Sequence, residues 1–186
     1  YDTYDGPSSI ELNPMQEEYS TTDRDASGRF ETIEDRPSVN TNSTIETKPN
    51  TFQEQMKKSE SSGNYEVVND EGFMGAYQFG DRRLEDFQQA NNTRFTQDEF
   101  LNNPELQDKV FAWHVKDYKK RIKKDNLNQY IGKTINGVEV TEDGLVAVAH
   151  LGGYSGMKTF LKSNGKNDKA DSNGTSMTAY LKKFKA

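Results

Sequence analysis

Residues 51–186 of this 186-residue chain are expected to form a mainly α-helical domain with one small β-hairpin element, and residues 1–50 an extended acidic arm ahead of it. Three features lead there. Helix-start signals recur from Thr51 onward: capping boxes at Thr51-Phe52-Gln53-Glu54 and Thr96-Gln97-Asp98-Glu99, and a proline at a first helical position in Asn103-Pro104. A good two-residue hairpin signal, Ile135-Asn136-Gly137-Val138, stands among them. The charge is unevenly spread. Residues 1–50 hold eleven acids against Arg24, Arg29, Arg36 and Lys48, a net of −7, whereas the whole chain is −6, so residues 51–186 carry about +1.

The arm is rich in Ser, Thr, Asn, Asp and Glu, broken by Pro7, Pro14, Pro37 and Pro49, with isolated apolar residues and no sustained period. Such a segment buries too little to offset its ordering entropy by itself, and the expectation is that a neighbouring protein holds it. Overall hydrophobic content is 31% and mean hydropathy −1.03, both low for a globular chain, and the arm accounts for much of the deficit.

Helix by helix, the first should run from Thr51 to about Ser62 with Gly63 as its stop. Residues 64–80, with Val67-Val68, Asn69-Asp70-Glu71-Gly72 and a glycine-aromatic run to Gly80, suggest an irregular hairpin or a pair of turns. Asp81 is expected to cap a helix over Arg82–Ala90. The long helix from Pro104 carries the line Phe111, Val115, Tyr118, Ile122, whose spacings of four, three and four mark one face. After the hairpin, Thr141 or Asp143 caps the apolar run Leu145-Val146-Ala147-Val148-Ala149-His150, ended by Gly152-Gly153. A helix over about Ser155–Leu161 follows, and a last one, capped near Thr175 or Ser176, carries Met177, Tyr180, Leu181 and Phe184.

Four short motifs fall on these elements in order. Glu60-Ser61 stands near the first helix end, Gly75-Ala76-Tyr77-Gln78 in the turns, Ala149-His150-Leu151-Gly152-Gly153 at the apolar helix end, and Tyr180 in the last helix. Together they resemble the lysozyme-like superfamily, closest to the soluble lytic transglycosylases and goose-type lysozymes. That group carries Glu-Ser, Gly-Leu-Met-Gln, Ala-Tyr-Asn-x-Gly and a late Tyr in this order. Each motif is weak alone; four in order carry more. The resemblance covers about residues 51–186. It departs at His150 and Leu151, which replace Tyr and Asn, and at Tyr77, which replaces Met.

The resemblance implies an α+β lysozyme-like fold, with Glu60 as catalytic acid and base and Ser61, Tyr77, Gln78, His150 and Tyr180 as substrate-binding residues. The substrate would be the peptidoglycan strand, cut between N-acetylmuramic acid and N-acetylglucosamine. A general acid must hold its proton near neutral pH, which partial burial against apolar walls favours; Phe73, Met74, Tyr77 and Phe79 are candidate walls. A lytic transglycosylase needs no second carboxylate, whereas a hydrolase usually uses one. Asp70, Glu71 and Asp81 are the nearby ones, none at a persuasive spacing, and the non-hydrolytic route is therefore favoured. Such an enzyme places Glu60 at the floor of an elongated groove lined by Gln78 and Tyr180.

Plainer readings stand beside these. Glu60 is otherwise a solvated helix-end residue, Gln78 a satisfier of turn backbone, Tyr180 a core tyrosine, His150 a structural histidine, and His114 packing beside Trp113. The two histidines give no case for a metal, Asp168 and Asp171 suit a solvated loop, and no cofactor is expected. Without cysteine there are no disulfides or thiolate sites. No apolar run approaches the roughly 20 residues of a membrane span. The basic stretch Lys116, Lys119, Lys120, Arg121, Lys123, Lys124 wraps much of a helix with acids interrupting it, so a solvated face is preferred to nucleic-acid binding. The arm, with no secretory signal evident, fits a wall-opening enzyme in a bacteriophage virion, held by other virion proteins through residues 1–50, and the start at Tyr1 fits a processed or excised piece of a longer product. A periplasmic or secreted bacterial enzyme, or a structural virion component with a weak or inactive domain, is the alternative.

Overall fold

A computed structural model describes residues 51–185; the expected arm, residues 1–50, lies outside the described residues. In chain order the elements are α1 (Phe52–Ser61), α2 (Asp81–Ala90), α3 (Gln97–Leu101), α4 (Pro104–Lys124), a 3₁₀ turn (Leu127–Tyr130), β1 (Thr134–Ile135), β2 (Val138–Glu139), α5 (Glu142–Lys162) and α6 (Met177–Lys183). The fold is mainly helical with one small antiparallel hairpin among the described residues, as expected.

Local chemistry explains the boundaries. Both capping boxes form: Thr51 and Thr96 accept from the amides of Glu54 and Glu99, whose carboxylates accept from the amides of Thr51 and Thr96. Asn103 accepts from the Leu106 amide ahead of Pro104, Thr141 caps α5, and Ser176 caps α6. Ser62 ends α1 in the left-handed region (φ 57), with Gly63 beside it. Asn136 and Gly137, both with positive φ, make the tight turn between β1 and β2. Gly153 (φ 74, ψ 162) breaks α5 into two helical runs at the expected place.

Three features differ from expectation. Gly80, not Asp81, is the N-cap of α2, with no side-chain bond; Asp81 is the first helical residue, where its charge complements the helix dipole. The 3₁₀ turn at Leu127–Tyr130 carried no sequence signal beyond apolar Leu127, which it buries. Val115 is only partly buried, because the inward face of α4 runs through Gln107, Phe111, His114, Tyr118 and Ile122.

The core forms where α5 packs on α6 and on α4. Phe79, Phe111, Phe160, Phe184, Met56 and Leu145 are all under 2% exposed. Burying each such side chain contributes about 1.5–3 kcal/mol before entropy is charged against it. Tyr77 stacks on Phe111 with centroids 4.3 Å apart and planes within 11°, fixing the 72–80 turns against α4.

Candidate functional site

The last turn of α1 presents Glu60 and Ser61, both partly buried. Two bridges, Val68 to Met74 and Met74 to Phe79, fold residues 68–79 back on themselves twice, where an irregular hairpin or a pair of turns was expected. Gly75 permits it, with φ 78 and a backbone pressed so close to Gln107 that an added Cβ would lie 2.3 Å from Gln107 Oε1. Gln107 is wholly buried. Its Oε1 accepts from the Ala76 amide at 2.8 Å, and its Nε2 donates to the carbonyls of Tyr65 and Phe100 at 2.8 and 2.9 Å. The other side of Ala76 is also held, since its carbonyl accepts from Ser61 Oγ at 2.8 Å. Ser61 therefore ties the helix end to the turn.

Glu60 meets Tyr180 across 120 residues: the Tyr180 hydroxyl donates to Glu60 Oε1 at 2.5 Å. Burial and the neighbouring carboxylate raise the Tyr180 pKa far above the ordinary phenol value, so this hydroxyl stays protonated and donating. Oε1 being engaged, a proton on this carboxyl belongs on Oε2. Beside the pair, Lys183 Nζ donates to Ser59 Oγ at 2.6 Å.

His150 closes the site from α5 through a chain of fixed direction. Arg83 Nε can only donate, and it donates to His114 Nδ1 at 2.8 Å. His114 must then carry its proton on Nε2, which faces His150 Nδ1 at 3.1 Å. His150 in turn carries its proton on Nε2 and donates to the Tyr77 carbonyl at 2.8 Å. Arg83 is itself held by Asp117 at 2.7 Å and lies over the rings of Trp113 and Tyr118. Neither imidazole accepts a second proton without setting two N–H groups against each other. Burial first, and then the neighbouring His150 and Arg83, hold His114 well below the usual histidine value. Burial lowers His150 as well, with the Glu60 charge and the Tyr77 carbonyl acting against it.

A pH dependence follows. Unfolded imidazoles titrate near 6.5, above their folded values, so below that pH the unfolded chain binds more protons and stability falls with acidification. The urea midpoint is expected to hold above about pH 6.5 and to decline below it, by up to about 1.4 kcal/mol per pH unit for each imidazole. Nitrogen-15 NMR at neutral pH should find both histidines as Nε2–H tautomers. A flat midpoint from pH 7 to 5 would contradict this.

The structure brings together Glu60 with Tyr180, Ser61 with Ala76, and His150 with Tyr77. It also corrects several expectations. Tyr77 is 0% exposed and no sugar platform, because its ring is committed to Phe111 and its hydroxyl donates to Asp108 Oδ1 at 2.6 Å. Met74 and Phe79 are likewise buried, leaving Phe73, 39% exposed, as the open wall candidate. Gln78 Nε2 satisfies the Gly75 carbonyl at 3.0 Å. Ser61 serves the Ala76 carbonyl, and both ring nitrogens of His150 are engaged within the protein. A groove of about 550 Å³ is lined by Phe73, Gln78, Arg82, Tyr118, His150 and Leu151 among others, but Glu60 and Tyr180 are not in its lining.

Sequence reasoning missed Gln107, Arg83 and the pairing of His114 with His150. One signal was available: Gln107, Phe111, His114 and Tyr118 share the four-three-four spacing of a buried helix face, so both polar residues had to be partnered inside. Against protein-family models, curated proteins and solved structures, the chain finds no match.

Proposed function

We propose that this domain cleaves peptidoglycan glycan strands between N-acetylmuramic acid and N-acetylglucosamine, without water, in the manner of a lytic transglycosylase. The observation that carries it is the Glu60–Tyr180 hydrogen bond, which joins two of the four motif positions and leaves Oε2 as the proton-bearing oxygen. Glu60 Oε2–H protonates the glycosidic oxygen as the bond to the muramic C1 breaks. The resulting carboxylate then takes the proton of the same sugar's 6-hydroxyl as that oxygen closes on C1. Glu60 ends protonated, and the products are a 1,6-anhydromuramic end and a free 4-hydroxyl. Gln78 and Phe73 line the groove, where an aromatic ring and an amide suit a sugar strand. The setting we infer is a bacteriophage particle opening the host wall, with residues 1–50 held by other virion proteins; a periplasmic or secreted enzyme is the alternative.

A second reading, a structural virion component whose domain is weak or inactive, is favoured by the placement of Glu60 and Tyr180 outside the groove lining. A hydrolytic lysozyme would need another carboxylate, and Glu71 and Asp81 line the groove while Asp70 is exposed nearby. Mass spectrometry of muropeptides released from purified peptidoglycan by the full chain separates the three. Anhydro ends are the expected result. Reducing ends mean hydrolysis, and no release from a folded chain leaves the structural role.

A further inference from the structure

The lysines of α4 sort into two sets that the sequence alone does not separate. Lys119 pairs with Glu142 and Asp143 at 3.1 and 2.9 Å. Arg121 reaches Asp117 and lies over the Tyr154 ring at 4.0 Å. Lys109, Lys116, Lys120, Lys123 and Lys124 are all exposed and form no ion pair among the described residues. At 100° per residue these five fall within an arc of roughly 100° and span about 22 Å along the helix. Glu105, in the first turn, is the one acid in that arc. The acids on the flanks are occupied elsewhere: Asp108 by Tyr65 and Tyr77, Asp117 by Arg83, and Asp125 by Tyr154 and Lys158. The basic stretch, with Lys109 two turns ahead of it, thus presents a stripe of five unpaired lysines on one face, with its neutralised members turned to the sides.

The opposite side of the same helix, through His114 and Tyr118, lines the groove. A strand in the groove and the stripe therefore lie back to back on α4. We propose that the stripe docks a second element of the wall: the carboxylates of stem peptides on a neighbouring peptidoglycan strand, a proposal that rests on the wall-cleaving reading above. Charge complementarity and residue type both favour this partner. Lysine is a compact charge on a flexible stem, suited to carboxylates on mobile peptides. Nucleic acid is the weaker fit. The stripe contains no arginine, whose planar fork suits phosphate, and no fully exposed aromatic on which bases stack. Residues 51–186 carry only about +1 in all, so the domain as a whole attracts a polyanion weakly.

The test is co-sedimentation of the full chain with insoluble peptidoglycan sacculi, comparing wild type with the fivefold variant K109Q/K116Q/K120Q/K123Q/K124Q. A control variant, K162Q/K166Q/K169Q/K182Q/K185Q, changes net charge equally away from α4. The stripe variant is expected to bind at least tenfold more weakly and the control within about twofold of wild type. Raising salt from 50 to 300 mM should weaken wild type towards the stripe variant, since screening shortens to below about 10 Å. Sacculi with amidated carboxylates should bind wild type as poorly as the variant binds native sacculi. Equal loss in both variants, or undiminished binding to amidated sacculi, would overturn the proposal, as would stripe-dependent binding to duplex DNA with none to sacculi. Cleavage of soluble glycan chains, measured alongside, keeps the two readings apart. Cleavage with no stripe effect sinks the docking face alone, and stripe-dependent binding without cleavage sinks the catalytic reading alone.

Discussion

Glu60→Gln is expected to slow release of glycan fragments from peptidoglycan by about 10²–10⁴-fold, the usual contribution of a positioned acid–base group. The substitution keeps an oxygen to accept from Tyr180 and removes only the transferable proton, so folding should be unchanged and the loss should fall on kcat. Tyr180→Phe tests the same bond from the other side. It deletes the donor that engages Oε1, so the proton of the Glu60 carboxyl is no longer directed to Oε2. A hydrogen bond to a charged group is worth about 1.5–3 kcal/mol, which corresponds to roughly 10–100-fold if expressed in the transition state. The double variant should be little worse than Glu60→Gln alone, because the two side chains act as a unit. Full activity in a folded Glu60→Gln protein would remove Glu60 from the chemistry.

What the sequence made legible divides by range. Features written within a few residues were readable: the capping boxes at Thr51 and Thr96, the Asn136-Gly137 turn and the break at Gly153. Each is set by backbone dihedrals and by donors three residues away, which neighbouring side chains decide. The cap at Gly80 was misassigned because Asp81 is a strong capping residue by type, and only the path of the preceding turn places it inside the helix. The site is a different matter. Glu60 and Tyr180 were nominated separately by resemblance, and their direct contact, 120 residues apart, arises where α1 meets the end of the chain, with Phe52 packed edge-on against Phe184. Tyr77 was misread because an aromatic in a glycine-rich turn looks exposed, and only the face of α4 it meets, Phe111 with Asp108 nearby, reveals that it is buried. The histidine chain was invisible for the same reason, since His150 and His114 belong to helices paired only in three dimensions.

Gly75→Ala is expected to destabilise the domain by about 3–5 kcal/mol. Two costs combine. A non-glycine residue in the left-handed region costs about 1–2 kcal/mol. The new Cβ would lie 2.3 and 2.8 Å from Gln107 Oε1 and Cδ, displacing the amide. Gln107 cannot yield freely, because it is the partner of the buried Ala76 amide and of the Tyr65 and Phe100 carbonyls. Leaving such groups unpaired costs about 1–3 kcal/mol each. Gly63→Ala separates the costs: Gly63 has φ +84 and nothing within 4 Å of the added Cβ, so it bears the backbone cost alone. Urea midpoints should rank wild type above Gly63→Ala and both well above Gly75→Ala, with Gln107→Leu near the last. Equal midpoints for the two glycine variants would mean that Gln107 moves aside at no cost. Because Ala76 is held by Gln107 on its amide and by Ser61 on its carbonyl, the same displacement reaches the helix end that carries Glu60. Whatever activity survives in folded Gly75→Ala protein should therefore fall with kcat more than with KM, whereas Gly63→Ala, on the far side of Ser61 from this clamp, should lose stability without that kinetic signature.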